Sequence, residues 1–569
     1  MPRVRLRLLA ATLLAVSISS LLTIRLVNAQ HSGIDTYAIT NARIIPVSGA
    51  TIERGTIVFR NGLVVSVGTN VSVPSDARVI DGDGLTVYPG LIDSYTNLAL
   101  PEASPSPSPT GGGGGGFFFL QQAAAQPRPG GPNSTQPPGL QPETMVEEVI
   151  RTGGSDVDAA RNAGFTTALT LPRTGIWMGQ SALINLNGDT PQQMIVRSPV
   201  AMQVGFTPLR GGYPGSLMGV FATLRQMMLD AQRYRDSLQI YERSPRGVRR
   251  PDTDRSLAAL VPLIEGKMPV VMLANTEREI TRALDLATEF KLKLIIAGGR
   301  EAGRLTDRLV KQNVPVLLSL NLPRRTTAAI PEADPEPLRV LRERVEAQQT
   351  AGKLAKAKVR FAFESGSLPN ASDIMVNANR AIENGLSADD ALRAFTIWPA
   401  EIFGIESQLG SIEVGKIANL TVTRGDLFDR NSRVTHVFID GKPVDLRPVP
   451  AGAPGRANLT GAWTLTVNLG EEKTASLNLR QEGDRLTGSM QGPLGQGEIA
   501  NASVGNEVRF TVVLNIDGQT KEATFAGAVA SSGNEIRGAV TIEGRAPGTF
   551  TATRNAPTEV EGAHPCGMR

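Results

Sequence analysis

Between residues 269 and 363 the chain alternates short apolar runs with longer amphipathic ones. Pro269–Leu273, Leu292–Ala297, Val314–Ser319 and Val359–Phe363 have strand length and an apolar, Val/Leu/Ile-rich character. Glu277–Glu289, Glu301–Lys311 and Pro337–Ala351 carry apolar residues at helical spacing. Strands alternating with helices this long predict βα units, and consecutive βα units predict a parallel sheet covered on both faces. An upstream unit has the same form: helix Val157–Ala163 stops at Gly164 and runs into strand Thr166–Leu171. About seven strands can be counted in this region, one short of the eight that close a (β/α) barrel.

Just upstream, Thr86–Leu98 reads Thr-Val-Tyr-Pro-Gly-Leu-Ile-Asp-Ser-Tyr-Thr-Asn-Leu. A Pro-Gly turn precedes an apolar pair, and small polar residues follow. That order predicts a buried strand whose C-terminal end opens into a pocket. Before it lie short β-rich pieces, Tyr37–Thr40, Ile44–Val47, Gly55–Phe59 and Leu63–Gly68, with the hairpin turn Asn61-Gly62 between the last two. Beyond residue 395 come Thr396-Ile397-Trp398-Pro399-Ala400-Glu401-Ile402-Phe403-Gly404 and Leu409-Gly410-Ser411-Ile412-Glu413-Val414-Gly415-Lys416-Ile417-Ala418-Asn419-Leu420.

These stretches resemble the amidohydrolase superfamily, in its imidazolonepropionase-like branch. There the first barrel strand reads Pro-Gly-Leu-Ile-Asp-x-His-x-His, and Pro89–Asp93 match it. Ala163–Thr167 and Gly179–Leu186 resemble the second barrel unit and the segment after it. The two stretches beyond residue 395 resemble the C-terminal signature, with Asn419 in place of Asp. The resemblance runs from Tyr37 to about Leu446. It implies an α/β fold: a metal-hydrolase-like TIM barrel over 89–404, flanked by a composite β-sandwich domain built from 30–88 and 405–446. It also implies a hydrolase acting on C–N bonds other than peptide bonds, using Zn²⁺ or another divalent metal as Lewis acid.

The metal ligands that the resemblance implies do not match this chain. The two strand-one histidine positions hold Tyr95 and Asn97. The two middle-strand positions fall on Asn275 and Gly298, and the last-strand Asp falls on Gly366. Asn binds zinc poorly, and a Tyr phenol ionises only near pH 10. The chain holds three histidines, His31, His436 and His564, and none lies between Pro89 and Gly404. A histidine-based metal site in the barrel is therefore excluded, and no cofactor is expected. Asp93 and Glu364 are the remaining catalytic candidates, as a carboxylate pair for acid/base work or a hard cation; the favoured account is structural, a hydrogen bond at Asp93 and a nearby Arg at Glu364. A Ser-His pair is ruled out, and the sole cysteine, Cys566, sits in the tail. Trp177 and Trp398 read as packing residues, and His436 as a strand residue.

Residues 1–29 read as a signal peptide: Arg3, Arg5 and Arg7, then the apolar run Leu8–Ile24, then Val27-Asn28-Ala29 as a cleavage site. The apolar run is shorter than the roughly 20 residues of a membrane span. The expectation is export, to the periplasm or outside the cell, with membrane attachment only through an uncleaved leader. Residues 101–142, with Ser-Pro repeats and the Gly111–Gly116 run, read as a disordered insert in the barrel. No Lys-Ser/Thr follows the glycines, so this is not a phosphate loop. Residues 447–458 read as a linker and 555–569 as a tail. Between them, 459–554 show short alternating strands with regular turns, an antiparallel barrel or sandwich. Leu486–Ser489, Phe525–Ala528 and Ile536–Ala539 read as hairpins of one design.

The net charge of +4, from 58 basic and 54 acidic residues, gives no reason to expect nucleic acid. Arg243–Arg255 reads as a solvated basic loop. The reading that results is an exported amidohydrolase-like pseudoenzyme without metal. Its partners are a small molecule in the barrel mouth, and a second copy or an active relative in an oligomer. The alternatives are a working hydrolase with a non-standard site, and an envelope binding protein acting through the C-terminal β domain.

Overall fold

The computed structural model describes residues 36–101, 136–209, 212–323, 337–366, 368, 373–429, 432–446 and 459–555, less the turn residues 470–471, 483–484, 494, 505–507, 517–518, 531–533 and 543–547. The leader, most of the insert, the linker, the tail beyond Asn555, His31, His564 and Cys566 lie outside these residues. The chain divides into two compact units, 1–446 and 447–569.

In the first unit, eight strands form one mixed sheet. Thr36–Ile44, Ile52–Arg60 and Leu63–Gly68 form an antiparallel meander, and Leu85–Pro89 lies parallel to the first of them. Leu420–Arg424, from beyond the barrel, pairs antiparallel with Leu85–Pro89 along its whole length. Tyr37, Phe59 and Phe438 pack ring against ring beneath this seam. The hairpin turns Asn61-Gly62 and Asp440-Gly441 both have positive φ at both residues, the geometry of the tight turns that match strand twist.

Pro89 ends that sheet and Leu91 begins the barrel. Gly90 makes the step because a side chain there would overlap Thr166. Leu91–Thr96 lies parallel to Phe165–Thr170. Met202–Gly205, Val270–Ala274, Leu294–Gly298, Val316–Ser319 and Phe361–Glu364 form a second parallel run in chain order. The gap between the two runs is spanned by Trp177–Gln180 and Ala182–Asn185. The first of these pairs antiparallel with Met202–Gly205 and the second with Phe165–Thr170. On the other side, the Gly366 N–H donates to the Tyr95 carbonyl at 3.0 Å, joining the last strand to the first. The strand absent from the sequence count is Met202–Gly205. The 177–185 strand runs against its neighbours because only a short turn, with no crossover helix, separates it from Thr170.

Outer helices follow the sequence rules. Glu277–Phe290 opens on a reciprocal Thr276/Glu279 cap and buries Ile280, Ala283, Leu284 and Ala287 along one stripe. The insert expected over 101–142 needs correction at its C-terminal end. Leu140 and Gln141 are buried, and Leu140 bridges to Trp177, because this segment covers the outer edge of the antiparallel strand.

The second unit is a closed barrel of eight antiparallel strands, each paired with the next and Gly461–Asn468 paired with Gly548–Arg554. Trp463, Leu465, Leu477, Phe510, Val512, Phe525, Val540 and Phe550 are buried within it. Phe510 stacks on Phe525 at 4.8 Å, and Phe550 meets Phe525 edge-on at 5.3 Å. On Gly461–Asn468 the buried Trp463, Leu465 and Val467 alternate with Ala462, Thr464 and Thr466. Apolar-in and polar-out is the reverse of a lipid-facing barrel. Gly527 sits directly opposite Gly538, where any side chain would overlap the neighbouring backbone. Two of the expected half-repeats meet there and let the strands approach closely.

Candidate site at the barrel mouth

Asp93 is buried and held from two sides. Its Oδ1 accepts from the Ser365 N–H at 3.0 Å and the Tyr95 N–H at 3.5 Å. Its Oδ2 accepts from the Ser365 hydroxyl. Asp93 thus clasps the opening strand to the residue after the closing strand. Burial pushes its carboxyl up to about 6, against the opposing pull of the Ser365 hydroxyl and N–H, the Tyr95 N–H and the Arg173 charge.

Tyr95 is also buried, and burial raises its phenol well above the usual range; Arg173 opposes the shift and Glu364 adds to it. Asn97 is exposed, and its Oδ1 accepts from Arg173 Nη1 at 3.4 Å. Arg173 Nη2 donates to the Gly366 carbonyl. A side chain at Gly366 would drive its Cβ into the Tyr95 carbonyl oxygen and to 3.2 Å from Thr96 Cα. Glu364 is fully buried at the end of the closing strand.

Across the mouth, Asn275 and Gly298 also meet. A Cβ at Gly298 would lie 2.5 Å from Asn275 Oδ1, and Gly298 has φ +84°. The strand ends are tied further by Gly299 N–H to Ala274 O and Glu301 N–H to Asn275 O, both at 2.9 Å. The structure thus brings Asp93, Tyr95, Asn97, Glu364 and Gly366 into one neighbourhood, and Asn275 with Gly298 into another. Among the described residues, no three His, Cys, Asp or Glu side chains converge as a metal-binding group. His436 lies on strand Arg433–Ile439, stacked on Phe438 with Nδ1 on Thr435 Oγ1, and burial lowers its pKa. Trp398 packs edge-on against Phe361 at 5.0 Å, and Trp177 is buried with its Nε1 unpartnered among the described residues.

Arg173 and Ser365 were not visible as site residues in the sequence. Their signal was position alone: Arg173 follows Thr166–Leu171 past a proline, and Ser365 stands between Glu364 and Gly366.

The Asp93 environment predicts a pH effect. Its folded pKa of about 6 lies above the ordinary 3.8, so the folded state holds the proton more tightly. Its stabilising contribution is full below about pH 4 and is lost as the pH rises through about 6, a swing of about 3 kcal/mol. Asn can accept the Ser365 N–H and donate to its hydroxyl, so Asp93→Asn is expected to remove this part of the pH dependence. Thermal melts of both proteins at pH 4.5 and pH 7.5 check it. A wild-type and variant pair that shift in parallel would show that Asp93 is not buried as described.

At the opposite end of the barrel, Asn419 Nδ2 donates to Thr167 Oγ1 at 3.0 Å and to Asn185 Oδ1 at 2.8 Å. Its Oδ1 accepts the Asp440 N–H at 2.8 Å, and Asn185 Nδ2 donates to Asp440 Oδ1. This amide network joins the barrel floor to the β sheet. It also accounts for the Asn that stands where the signature has Asp: the position needs two N–H donors.

Residues 335–444 match the family described as Amidohydrolase family. A 77-residue stretch is 39% identical to the N-substituted formamide deformylase of Arthrobacter pascens, but it is only 12% of this chain and 14% of that protein. The structure resembles an amidohydrolase from Thermotoga maritima MSB8, with a TM-score of 0.60 and 24% identity, over 72% of this chain and all of that one. A prolidase complexed with N-methylphosphonate-L-proline superposes more loosely, with a TM-score of 0.42 and 18% identity, over 72% of this chain and 99% of that one. The C-terminal signature and the family match agree: residues 335–444 match the amidohydrolase family, and they belong to a unit whose fold resembles that of a solved amidohydrolase.

Proposed function

We propose that the barrel is a metal-free binding site descended from a hydrolase, and that the protein holds a small molecule at its mouth without turning it over. The observation that carries this is Gly366. The position that should supply the metal's carboxylate is a glycine whose backbone lies against the Tyr95 carbonyl with no room for a side chain. The other positions support the same reading. Tyr95 is buried with its phenol held protonated, Asn97 is engaged by Arg173, and Asn275 fills the space over Gly298. The donor set does not fit zinc or a similar transition metal, which takes imidazole, thiolate or carboxylate.

The N-substituted formamide deformylase and the amidohydrolase are named for amide-type bonds, which supports a ligand with an amide group. Association with a second copy or with a relative that keeps its histidines belongs to the same proposal. So does export, on the strength of residues 1–29. The test is to incubate the purified chain with N-formyl amines and N-acyl amino acids and follow both binding and product. Binding without product is expected. Product formation that a chelator stops would overturn the proposal.

A further inference from the structure

Arg173 places a permanent positive charge at the barrel mouth. Its guanidinium reaches Asn97 on one side and the Gly366 carbonyl on the other. These are two of the positions where the family resemblance puts metal ligands, one past each end strand of the barrel. Its charge is felt by both Asp93 and Tyr95. Among the described residues its two hydrogen-bond partners are a neutral amide and a neutral carbonyl. A guanidinium has five N–H donors in a planar fork, so these contacts leave most of them open. The residue is exposed, so the remaining edge is accessible.

We propose that Arg173 replaces the family's metal as the fixed cation of the mouth, and that its open N–H edge binds a monocarboxylate ligand. The inference rests on the metal-free reading above and gives it a ligand class. A planar fork of N–H groups matches a carboxylate in bidentate geometry. The neighbouring acids decide the charge. Asp93 lies within reach of the Arg173 field, and Tyr95 feels both Arg173 and Glu364. A single guanidinium offers one positive charge, which matches a monoanion and leaves the second charge of a dianion unpaired beside the Asp93 carboxyl.

The experiment is calorimetric titration of the full chain with N-acetylglycine, the neutral N-acetylglycinamide and inorganic phosphate, repeated on Arg173→Met and Arg173→Lys. N-acetylglycine is expected to bind at least about tenfold more tightly than the amide or phosphate, a gap of about 1.4 kcal/mol or more. Arg173→Met is expected to lose that preference, and Arg173→Lys to recover part of it. The comparison of acid with amide needs no variant, so it stands even if Arg173→Met fails to fold. Absent binding of the acid, equal binding of acid and amide, or an unchanged preference in Arg173→Met would each overturn the proposal. Metal measured on the same sample separates the two layers. A metal-free protein that does not discriminate sinks the Arg173 assignment alone. Acid binding that disappears with a chelator sinks the metal-free reading.

Discussion

Gly366→Asp, which restores the family's residue, is expected to destabilise the barrel by about 3 kcal/mol or more and to recruit no metal. The new Cβ would meet the Tyr95 carbonyl oxygen and lie 3.2 Å from Thr96 Cα, both backbone atoms that a rotamer change cannot move aside. Relief requires the closing strand to move off the opening one. That movement breaks the Gly366 N–H to Tyr95 O bond and loosens the Asp93–Ser365 clasp beside it. Denaturant unfolding followed by tryptophan fluorescence reads this effect, because Trp177 and Trp398 both lie in the first unit. A variant as stable as the wild type that also acquires bound zinc would mean the strands open freely, and the site would be a dormant metal centre.

Asn419→Ala carries the second large effect, about 3 kcal/mol. It removes three hydrogen bonds at the barrel floor and leaves the Thr167 hydroxyl, the Asn185 amide and the Asp440 N–H with reduced partners in a buried place. Asn419→Asp is expected to cost as much, although it restores the family residue. A carboxylate offers no N–H to Asn185 Oδ1 and adds charge next to Asp440, whose own pKa burial already raises. Unfolding midpoints of the two variants check this. An Asp variant as stable as the wild type would show that the amide network is not what holds the floor.

How much of this could be read beforehand depended on sequence distance. Pro89–Asp93 and Gly410–Leu420 are local patterns, and the seam between them is the sheet pairing of Leu420–Arg424 with Leu85–Pro89. The alternating βα units after residue 269 were equally plain, since each strand and helix carries its own period. Met202–Gly205 was hidden because it is four residues long and contains a glutamine and a glycine. The reversed direction of 177–185 depends on what its neighbours offer, not on its own composition.

The positions at the site were legible residue by residue: Tyr95, Asn97, Asn275, Gly298 and Gly366 could be named by their place in the pattern. The partners those positions meet could not be. Arg173 meets partners 76 and 193 residues away, and Ser365 meets Asp93 across 272. No local spacing encodes such contacts; they follow from the ring of strands closing on itself. Likewise, nothing in a lone glycine tells that Gly366 is pressed against a carbonyl.

On the proposed reading, this barrel mouth is built around a guanidinium and backbone contacts and not around a metal. Elemental analysis of the full chain, purified without chelators and without a histidine tag, tests it most directly. Zinc, iron, manganese and nickel are expected far below one atom per chain in a protein that melts cooperatively. About one atom of any of them per chain, lost on chelation together with a hydrolytic activity, would contradict it.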